Sequence, residues 1–358
     1  MFFELLQISV GKREALSRVP SAEEWNNLYV LSKEHALRGV IYTAVEKLPQ
    51  EQRPDMELML KWYGVAKKES DRCRRAYRNC VAMSRDLTRN GKRHAILKGQ
   101  GMALLYQQPF ARACGDIDVW LEGSRMDIVD FMSRRTEVKK ITYHHCEAHL
   151  ASDDEVEIHF VPSWMYSYRL NRRLQRYFSK VQKEDFACKV SSPEGSGDFY
   201  VATMNFNRVF ILVHIYRHFI QEGVGFRQLM DYYYVLRQGC SAVEREETMA
   251  TLRALKMSHF VAGMMYVLQQ VFCLEDEFLL TTPEPILGKF LLSEITRSGN
   301  FGRADERMQQ KGKVSHWSLF VKQAQRDVRF LRYFPEEILM MPFFKIWHYG
   351  WRKYHGWM

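Results

Sequence analysis

Long apolar segments are missing from this 358-residue chain. The longest apolar runs, such as FILVHI at 210–215 and EILMMPFF at 337–344, are far shorter than the roughly 20 residues that span a bilayer. The N-terminal sequence MFFELLQISVGKREAL has an acidic Glu4, no basic segment before its apolar stretch and no small-residue cleavage site. We therefore expect no transmembrane helix, no secretory signal and a cytoplasmic location.

Paired cysteines and several widespread catalytic motifs are also absent. The seven cysteines are scattered and form no CxxC pair, which argues against zinc-ribbon and thioredoxin-like sites and predicts free thiols. The chain has no G-x-S-x-G elbow, no Walker-type GxxxxGK[ST], no Rossmann GxGxxG after a strand and no kinase signature set. The corresponding hydrolase, P-loop, dinucleotide-binding and kinase classes are therefore not supported.

Basic residues are in excess: 52 Lys and Arg against 42 Asp and Glu give a net charge of +10. An excess of this size favours anionic partners such as nucleotides, nucleic acid or lipid headgroups, without choosing among them.

The hydrophobic pattern divides the chain into three regions. Residues 1–90 and 201–358 have the three- and four-residue spacing of helices, whereas 91–200 mixes short strands with helices. The sequence therefore predicts an α+β protein, with a mixed β-sheet core flanked by N-terminal and C-terminal helical regions. In the first region, Ser21 and Glu24 form a predicted capping box, and residues 60–87 a long basic helix.

The central region has its own order of elements. Strands are predicted at 93–97, 115–121, 140–145, 147–151 and 156–161, with an SDDE turn before the last, and helices at 102–106 and from Ser124 to about Arg134. The segment SSPEGSG at 191–197 is the clearest loop or boundary marker.

Acidic residues mark two of these strands. Because side chains alternate along a strand, Asp116 and Asp118 share a face, and their repulsion calls for a cation or a proton. Glu157 would complete a three-carboxylate cluster if its strand is a neighbour. Oxygen ligands of this kind suit Mg²⁺ or Mn²⁺ acting on a phosphoryl centre.

A strand ending at Lys98-Gly99 precedes this pair and runs into a helix. Backbone N–H groups and the positive end of the helix would lie there, where a phosphate chain could bind. Lys98 would add a positive charge.

The order strand, glycine turn, helix, D-x-D strand and later acid resembles the DNA polymerase β-like nucleotidyltransferase superfamily. More narrowly, LKG…LLY…R…GDIDVWL followed by EIHF resembles a family of bacterial nucleotidyltransferases that has Lys-Gly in place of the usual Gly-Ser. The close match covers about residues 96–160, and a looser one covers the helical segment 214–231.

The resemblance implies transfer of a nucleoside monophosphate from a nucleoside triphosphate to a hydroxyl-bearing acceptor, with Mg²⁺ or Mn²⁺ as cofactor. Asp116, Asp118 and Glu157 would be the catalytic metal ligands. The nucleotide-binding residues would be Lys98, Gly99, Arg112 and Gly115. For Arg112 an ion pair with a carboxylate is an equal alternative.

Histidines supply further candidates. Residues that could line the cleft are His159, His214, His218, Arg227 and Asp231, although ordinary packing explains them as well. Zinc is a weaker hypothesis for both groups of histidines. The cluster of His144, His145, His149 and Cys146 lies on predicted strands with its side chains on both faces, and HIYRH, which contains His214 and His218, lacks the glutamate of a metalloprotease helix.

The C-terminal segment FFKIWHYGWRKYHGWM interleaves aromatic and basic residues. It suits a membrane interface or stacked bases, or an aromatic tail docked back on the protein. Nucleic acid therefore remains a candidate partner. Two alternative functions stay open, a non-catalytic nucleotide- or RNA-binding protein and an interaction protein of a surface-polysaccharide or peptide-modification pathway.

Overall fold

The computed structural model describes residues 1–149, 155–184, 186–308 and 316–357. Most of the predicted SDDE turn lies outside this part of the chain. The α-helices are α1 (Phe2–Ser9), α2 (Ala22–Glu34), α3 (Arg38–Lys47), α4 (Met56–Arg89), α5 (Gly99–Ala103), α6 (Arg125–Ser133), α7 (Tyr168–Lys183), α8 (Met204–Gln221), α9 (Phe226–Arg237), α10 (Ala242–Ala254), α11 (Ser258–Phe272), α12 (Pro285–Ser298), α13 (His316–Leu331) and α14 (Pro335–Tyr354). The strands are β1 (His94–Leu97), β2 (Ile117–Leu121), β3 (Val138–Ile141), β4 (His145–His149), β5 (Glu155–His159), β6 (Ala187–Ser191) and β7 (Asp198–Ala202).

The seven strands form one mixed sheet in the order β3-β4-β5-β2-β1-β7-β6. The β2/β5 and β1/β7 pairs are parallel and the other pairs are antiparallel. Helices precede and follow this sheet along the chain, so the α+β class predicted from the sequence is confirmed. The boundaries of the three predicted regions remain a prediction.

Local signals located most elements correctly. The long basic helix is α4, the Ser21 capping box is formed, and the Ser124 side chain caps α6. Strands β6 and β7 were not predicted, and the SSPEGSG segment is the turn between them. The edge strand β6 is largely exposed, so its sequence ACKVS lacks the apolar alternation of a buried strand.

Two element boundaries differ from the prediction in ways that affect the site. Helix α5 begins at Gly99, directly after the turn, and not near residue 102. Strand β2 begins at Ile117 and not at residue 115. Asp116 therefore lies in the loop before the strand, whereas Asp118 lies within it.

The alternation of side chains on β2 separates two apolar cores. Ile117, Val119 and Leu121 pack into a core that includes residues of α4 and α6. Trp120 faces the other core, where its ring stacks on Phe206 of α8 with centroids 5.2 Å apart. Asp118 has the same parity as Trp120, so it lies on the face of the sheet that the later helices cover.

The larger core contains side chains from both helical regions. Phe2 and Phe3 of α1 pack against Phe226 of α9, and the buried His35 ring lies 4.5 Å from that of Phe226. In the described part of the chain, no helix is long and apolar enough to cross a membrane.

Candidate active site

A strained turn joins β1 to α5. Lys98 and Gly99 both have positive φ angles, +48° and +36°. Residues with a side chain rarely adopt positive φ angles. The conformation therefore suits glycine at position 99 and makes Lys98 an unusual residue at its position. Such strained backbone is concentrated at functional sites. The turn lies close to the loop before β2, since a Cβ added to Gly99 would be 3.7 Å from the carbonyl oxygen of Asp116.

Strand pairing brings two of the predicted carboxylates together. In the parallel β2/β5 pair, Asp118 lies directly opposite Glu157, as the sequence hypothesis required. Lys98 Nζ lies 2.8 Å from Asp118 Oδ1. The antiparallel pairing of β1 with β2 brings Lys98 to this position. Two carboxylates thus lie side by side on adjacent strands, and one lysine is already bound to Asp118.

His159 forms a cluster with these two carboxylates. Its Nε2 atom lies 2.9 Å from Asp118 Oδ1 and 3.3 Å from Glu157 Oε2. One ligand atom from each of the three side chains lies within 4.8 Å of the others. The two-residue period of a strand puts His159 on the same face as Glu157, but only the register of β2 against β5 brings it to Asp118.

Asp116 occupies a different position from the other carboxylates. It is exposed and lines the same cavity, but it belongs to neither compact group of ligand atoms found among the described residues. The predicted set is therefore arranged as a pair, the buried Asp118 and the half-buried Glu157, with the exposed Asp116 at its rim.

A second group of candidate ligand atoms, all of them ring nitrogens, adjoins the carboxylate cluster. His144, His145 and His159 each offer a ring nitrogen within 4.8 Å of the others. His145 Nδ1 lies 3.4 Å from Glu157 Oε2 and 3.0 Å from His144 Nε2. Cys146, part of the zinc hypothesis, faces the opposite core, and the side chain of His149 lies outside the described residues.

These side chains line a cavity of about 700 Å³ between the sheet and the later helices. Nearly all of the residues predicted from the sequence contribute to its wall, namely Lys98, Gly99, Arg112, Gly115, Asp116, Asp118, Glu157, His214, His218, Arg227 and Asp231. His159 is buried behind Asp118 and Glu157.

Arg112 is bound to a carboxylate. Its Nε and a terminal nitrogen donate to the two oxygens of Asp231 at 2.7 and 2.6 Å, and the Tyr106 hydroxyl donates to Asp231 at 2.7 Å. The structure therefore shows the ion-pair alternative for Arg112. Arg227 donates to the carbonyl oxygen of Ala113 and forms no ion pair with a described carboxylate.

Helix α8 contributes both predicted histidines and an arginine that the sequence analysis missed. The rings of His214 and His218 lie 4.3 Å apart. His218 Nδ1 lies 2.5 Å from Glu222, and its Nε2 lies 2.8 Å from a terminal nitrogen of Arg217. Arg217 lines the cavity without an ion pair to a described carboxylate, and its place beside His218 in HIYRH was the available signal.

The C-terminal helix α14 forms another wall, which the sequence analysis did not place. Phe344 stacks on Trp164 with ring centroids 4.3 Å apart, and His348 Nε2 accepts a hydrogen bond from the Tyr143 backbone at 3.1 Å. The aromatic tail is thus docked back on the protein. Its polar residues at the cavity are Lys345, His348, Tyr349 and Arg352.

A protein-family model matches most of this chain. The family model described as "uncharacterised nucleotidyltransferase" matches residues 21–273, which include the carboxylate cluster and helices α8 and α9. The chain belongs to this nucleotidyltransferase family. A comparison with curated proteins finds no match.

Two solved structures show a distant likeness. A nucleotidyltransferase-like antigenic protein from Paracoccidioides brasiliensis is 13% identical, with 50% of this chain and 92% of that chain covered and a TM-score of 0.31. A CCA-adding enzyme in complex with ATP is 10% identical, with 74% and 77% covered and a TM-score of 0.24. Membership of the nucleotidyltransferase family rests on the family model.

The pKa values of the side chains in this candidate site follow from burial and close contact. Burial alone would raise the pKa of Glu157, but the hydrogen bond and charge of His159 lower it below its usual value. For His159 burial acts to lower the pKa, and the two carboxylates reverse this and raise it. Burial lowers the pKa of His145 to about 3 and that of His218 to about 4, so both rings are neutral at pH 7.

Proposed function

We propose that this chain is a metal-dependent nucleotidyltransferase that transfers a nucleoside monophosphate from a nucleoside triphosphate to a hydroxyl-bearing acceptor. The observation that carries the proposal is the placement of Asp118 opposite Glu157, beside the Lys98-Gly99 turn, in a cavity of a nucleotidyltransferase family member. The cavity is large enough for a nucleotide and offers charges of both signs.

The donor atoms fit a divalent cation. Asp118 and Glu157 would hold it, with Asp116 reaching in from the rim, and carboxylate oxygens are the ligands that Mg²⁺ and Mn²⁺ take in such sites. When bound, the metal supplies a positive charge that offsets the charge on the phosphoryl oxygens.

The protein groups would bind and orient the triphosphate. Lys98 and the N–H groups after Gly99 would contact the β- and γ-phosphates. Arg217 and Arg227 also line the cavity without a carboxylate partner in the described chain, so their guanidinium groups could bind phosphate oxygens. Arg112 would support this wall indirectly, through its ion pair with Asp231.

The reaction is a displacement at the α-phosphorus. The acceptor oxygen forms a bond to this phosphorus, the bond to the oxygen that bridges to the β-phosphate breaks, and pyrophosphate leaves with that electron pair. Glu157 would take the proton of the acceptor hydroxyl. Such chemistry depends on positioning and charge neutralisation, so few protein groups are needed.

Thermal unfolding with the four ribonucleoside triphosphates, with and without Mg²⁺ or Mn²⁺, tests the binding step. A ligand that binds only the folded state stabilises it by about 2.7 kcal/mol at 100 times its Kd. We expect a metal-dependent rise in Tm for at least one triphosphate, lost in Asp118→Asn and in Asp116→Asn/Asp118→Asn. Asp130→Asn, which alters an exposed carboxylate paired with Arg134, is the matched control and should keep the rise.

Label transfer tests the chemistry. With the triphosphate selected above and a cell extract as the source of acceptor, label at the α-phosphorus should appear in a product and label at the γ-phosphorus should appear in pyrophosphate. Label transfer from the γ-position to the acceptor would contradict the proposal, because it would show phosphoryl transfer.

One observation favours a second candidate, a nucleotide- or RNA-binding protein without catalysis. Lys98 Nζ and His159 Nε2 lie 2.8 and 2.9 Å from Asp118 Oδ1, so protein groups already contact the carboxylate oxygen that a metal would use. Triphosphate or RNA binding that needs no metal, is weakened by salt and survives Asp118→Asn without turnover would support this candidate.

A further inference from the structure

We propose that His159 is a metal ligand, so that the site binds its cation through nitrogen as well as oxygen and prefers a divalent transition ion such as Mn²⁺ to Mg²⁺. This inference rests on the metal site of the proposed function and extends it by naming the ligand set and the class of cation.

The spacing of the donor atoms supports this ligand set. Neighbouring ligands of an octahedral ion lie about 3.0 Å apart when each is about 2.1 Å from the metal. His159 Nε2 is 2.9 Å from Asp118 Oδ1 and 3.3 Å from Glu157 Oε2. A cation could therefore replace the hydrogen bonds of His159 with little movement of the three side chains. Lys98 Nζ, which lies 2.8 Å from the same Asp118 Oδ1, would have to move away from that oxygen.

The polar contacts of His159 are confined to this cluster. The side chain is 2% exposed, and its Nε2 contacts both carboxylates. Its Nδ1 is buried and has no hydrogen-bond partner in the described chain. The ring is therefore held at the carboxylate pair through Nε2 alone.

A further nitrogen lies next to the cluster. His145 lines the cavity, with Nδ1 3.4 Å from Glu157 Oε2, and its Nε2 is buried without a partner among the described residues. Its side chain is 8% exposed. The surroundings of the carboxylate pair therefore contain two imidazole rings, one in direct contact with both carboxylates.

Ligand chemistry connects this arrangement to the choice of ion. Mg²⁺ is bound almost always through oxygen, whereas imidazole nitrogen is a common ligand of first-row transition ions. Removing the imidazole should therefore weaken the binding of a transition ion much more than that of Mg²⁺.

Two measurements on the full chain without nucleotide test the ligand set. Electron paramagnetic resonance of bound Mn²⁺ should show hyperfine coupling to a histidine nitrogen, which ¹⁵N-labelled histidine would assign. Calorimetric titration should show Mn²⁺ binding at least about tenfold tighter than Mg²⁺, a difference of about 1.4 kcal/mol.

Variants assign the nitrogen to its residue. In His159→Gln the coupling should disappear and Mn²⁺ affinity should fall about tenfold or more, with Mg²⁺ affinity changed less than threefold. His214→Gln, at a cavity histidine of α8 that belongs to neither group of candidate ligand atoms, is the matched control and should keep the coupling. If His159→Gln fails to fold, His144→Gln and His145→Gln replace it. Coupling that persists in both variants supports His159, and coupling lost in either variant assigns the nitrogen to that residue and overturns the inference.

Other outcomes would overturn the inference. Mn²⁺ bound without nitrogen coupling, or equal losses of Mn²⁺ and Mg²⁺ affinity in His159→Gln, would show that His159 is not a ligand. Nucleotidyl transfer with Mg²⁺ bound only through oxygen would overturn this inference and leave the proposed function intact. Mn²⁺ with nitrogen coupling in a protein that shows no nucleotidyl transfer would support this inference and contradict the proposed function.

Discussion

Arg112 and Asp231 form an ion pair with two hydrogen bonds, and each side chain is only 5% exposed. Arg112 precedes the carboxylate strand β2, whereas Asp231 belongs to helix α9. The pair therefore holds the loop of the sheet against the helical wall of the cavity, and the Tyr106 hydroxyl adds a third hydrogen bond to Asp231.

Asp231→Asn should destabilise the protein strongly. The substitution leaves Arg112 buried without its counterion, and breaking a buried pair in this way costs about 3–5 kcal/mol. Urea unfolding measures the loss. The exposed pair of Asp130 with Arg134 provides a comparison, because Asp130→Asn should cost less than about 1 kcal/mol.

The double variant Arg112→Met/Asp231→Leu separates charge from packing. Since it leaves no unpaired charge, its free energy of unfolding should be closer to that of the wild type than the value for Asp231→Asn. Equal stability of Asp231→Asn and the wild type would mean that the pair does not hold this wall.

Lys98→Ala should weaken the binding of the triphosphate about tenfold more than that of the monophosphate, because a charged hydrogen bond contributes about 1.5–3 kcal/mol. Calorimetry with both nucleotides measures the difference. Lys189→Ala, at an exposed ion pair with Asp198, should change neither affinity. If Lys98→Ala weakens both nucleotides equally, Lys98 contacts no β- or γ-phosphate.

Glu337→Gln should remove a pH dependence of stability. Glu337 accepts hydrogen bonds from the backbone N–H groups of Tyr166 and Ser167 at 2.7 and 2.9 Å, and burial raises its pKa to about 7. Because the folded state holds the proton more tightly than the unfolded chain, its contribution to stability is full below about pH 4.5 and is lost as pH rises through 7.

Chemical denaturation between pH 4.5 and 8.5 tests this assignment. The stability of the wild type relative to Glu337→Gln should fall by about 3 kcal/mol across this range, since one pKa unit corresponds to about 1.4 kcal/mol. Parallel stability profiles of the two proteins would contradict a raised pKa for Glu337.

Gly39→Ala should destabilise the contact between α3 and the segment before β2. A Cβ at this position would lie 2.3 Å from the carbonyl oxygen of Ala111, so the backbone must shift. Overpacking of this kind costs about 1–3 kcal/mol. Thermal or urea unfolding would detect the change, and an unaltered midpoint would show that the contact is loose.

Gly64→Ala is the matched control. Gly64 lies inside α4, and an added Cβ meets no described atom within 4 Å. The substitution should stabilise the helix by about 0.5–1 kcal/mol, because glycine is a poor helix former.

Local sequence signals were enough for much of the fold and part of the site. The spacing of apolar residues identified most helices, and short apolar and alternating segments identified the five strands before β6. The two-residue period of strands determined the face on which Asp118 lies, and it put Glu157 and His159 on one face of their strand. The family resemblance also depended on this short segment. Its assignment to a nucleotidyltransferase family agrees with the family model.

The tertiary structure decided which of these residues meet. The partners of Asp118 and Arg112 lie 41 and 119 residues further along the chain, at His159 and Asp231. No local period specifies such pairs, because they depend on strand register and on how helices cover the sheet. The sequence by itself determined the residue types and the faces on which they lie, whereas packing placed His159 in the carboxylate cluster and α14 at the cavity.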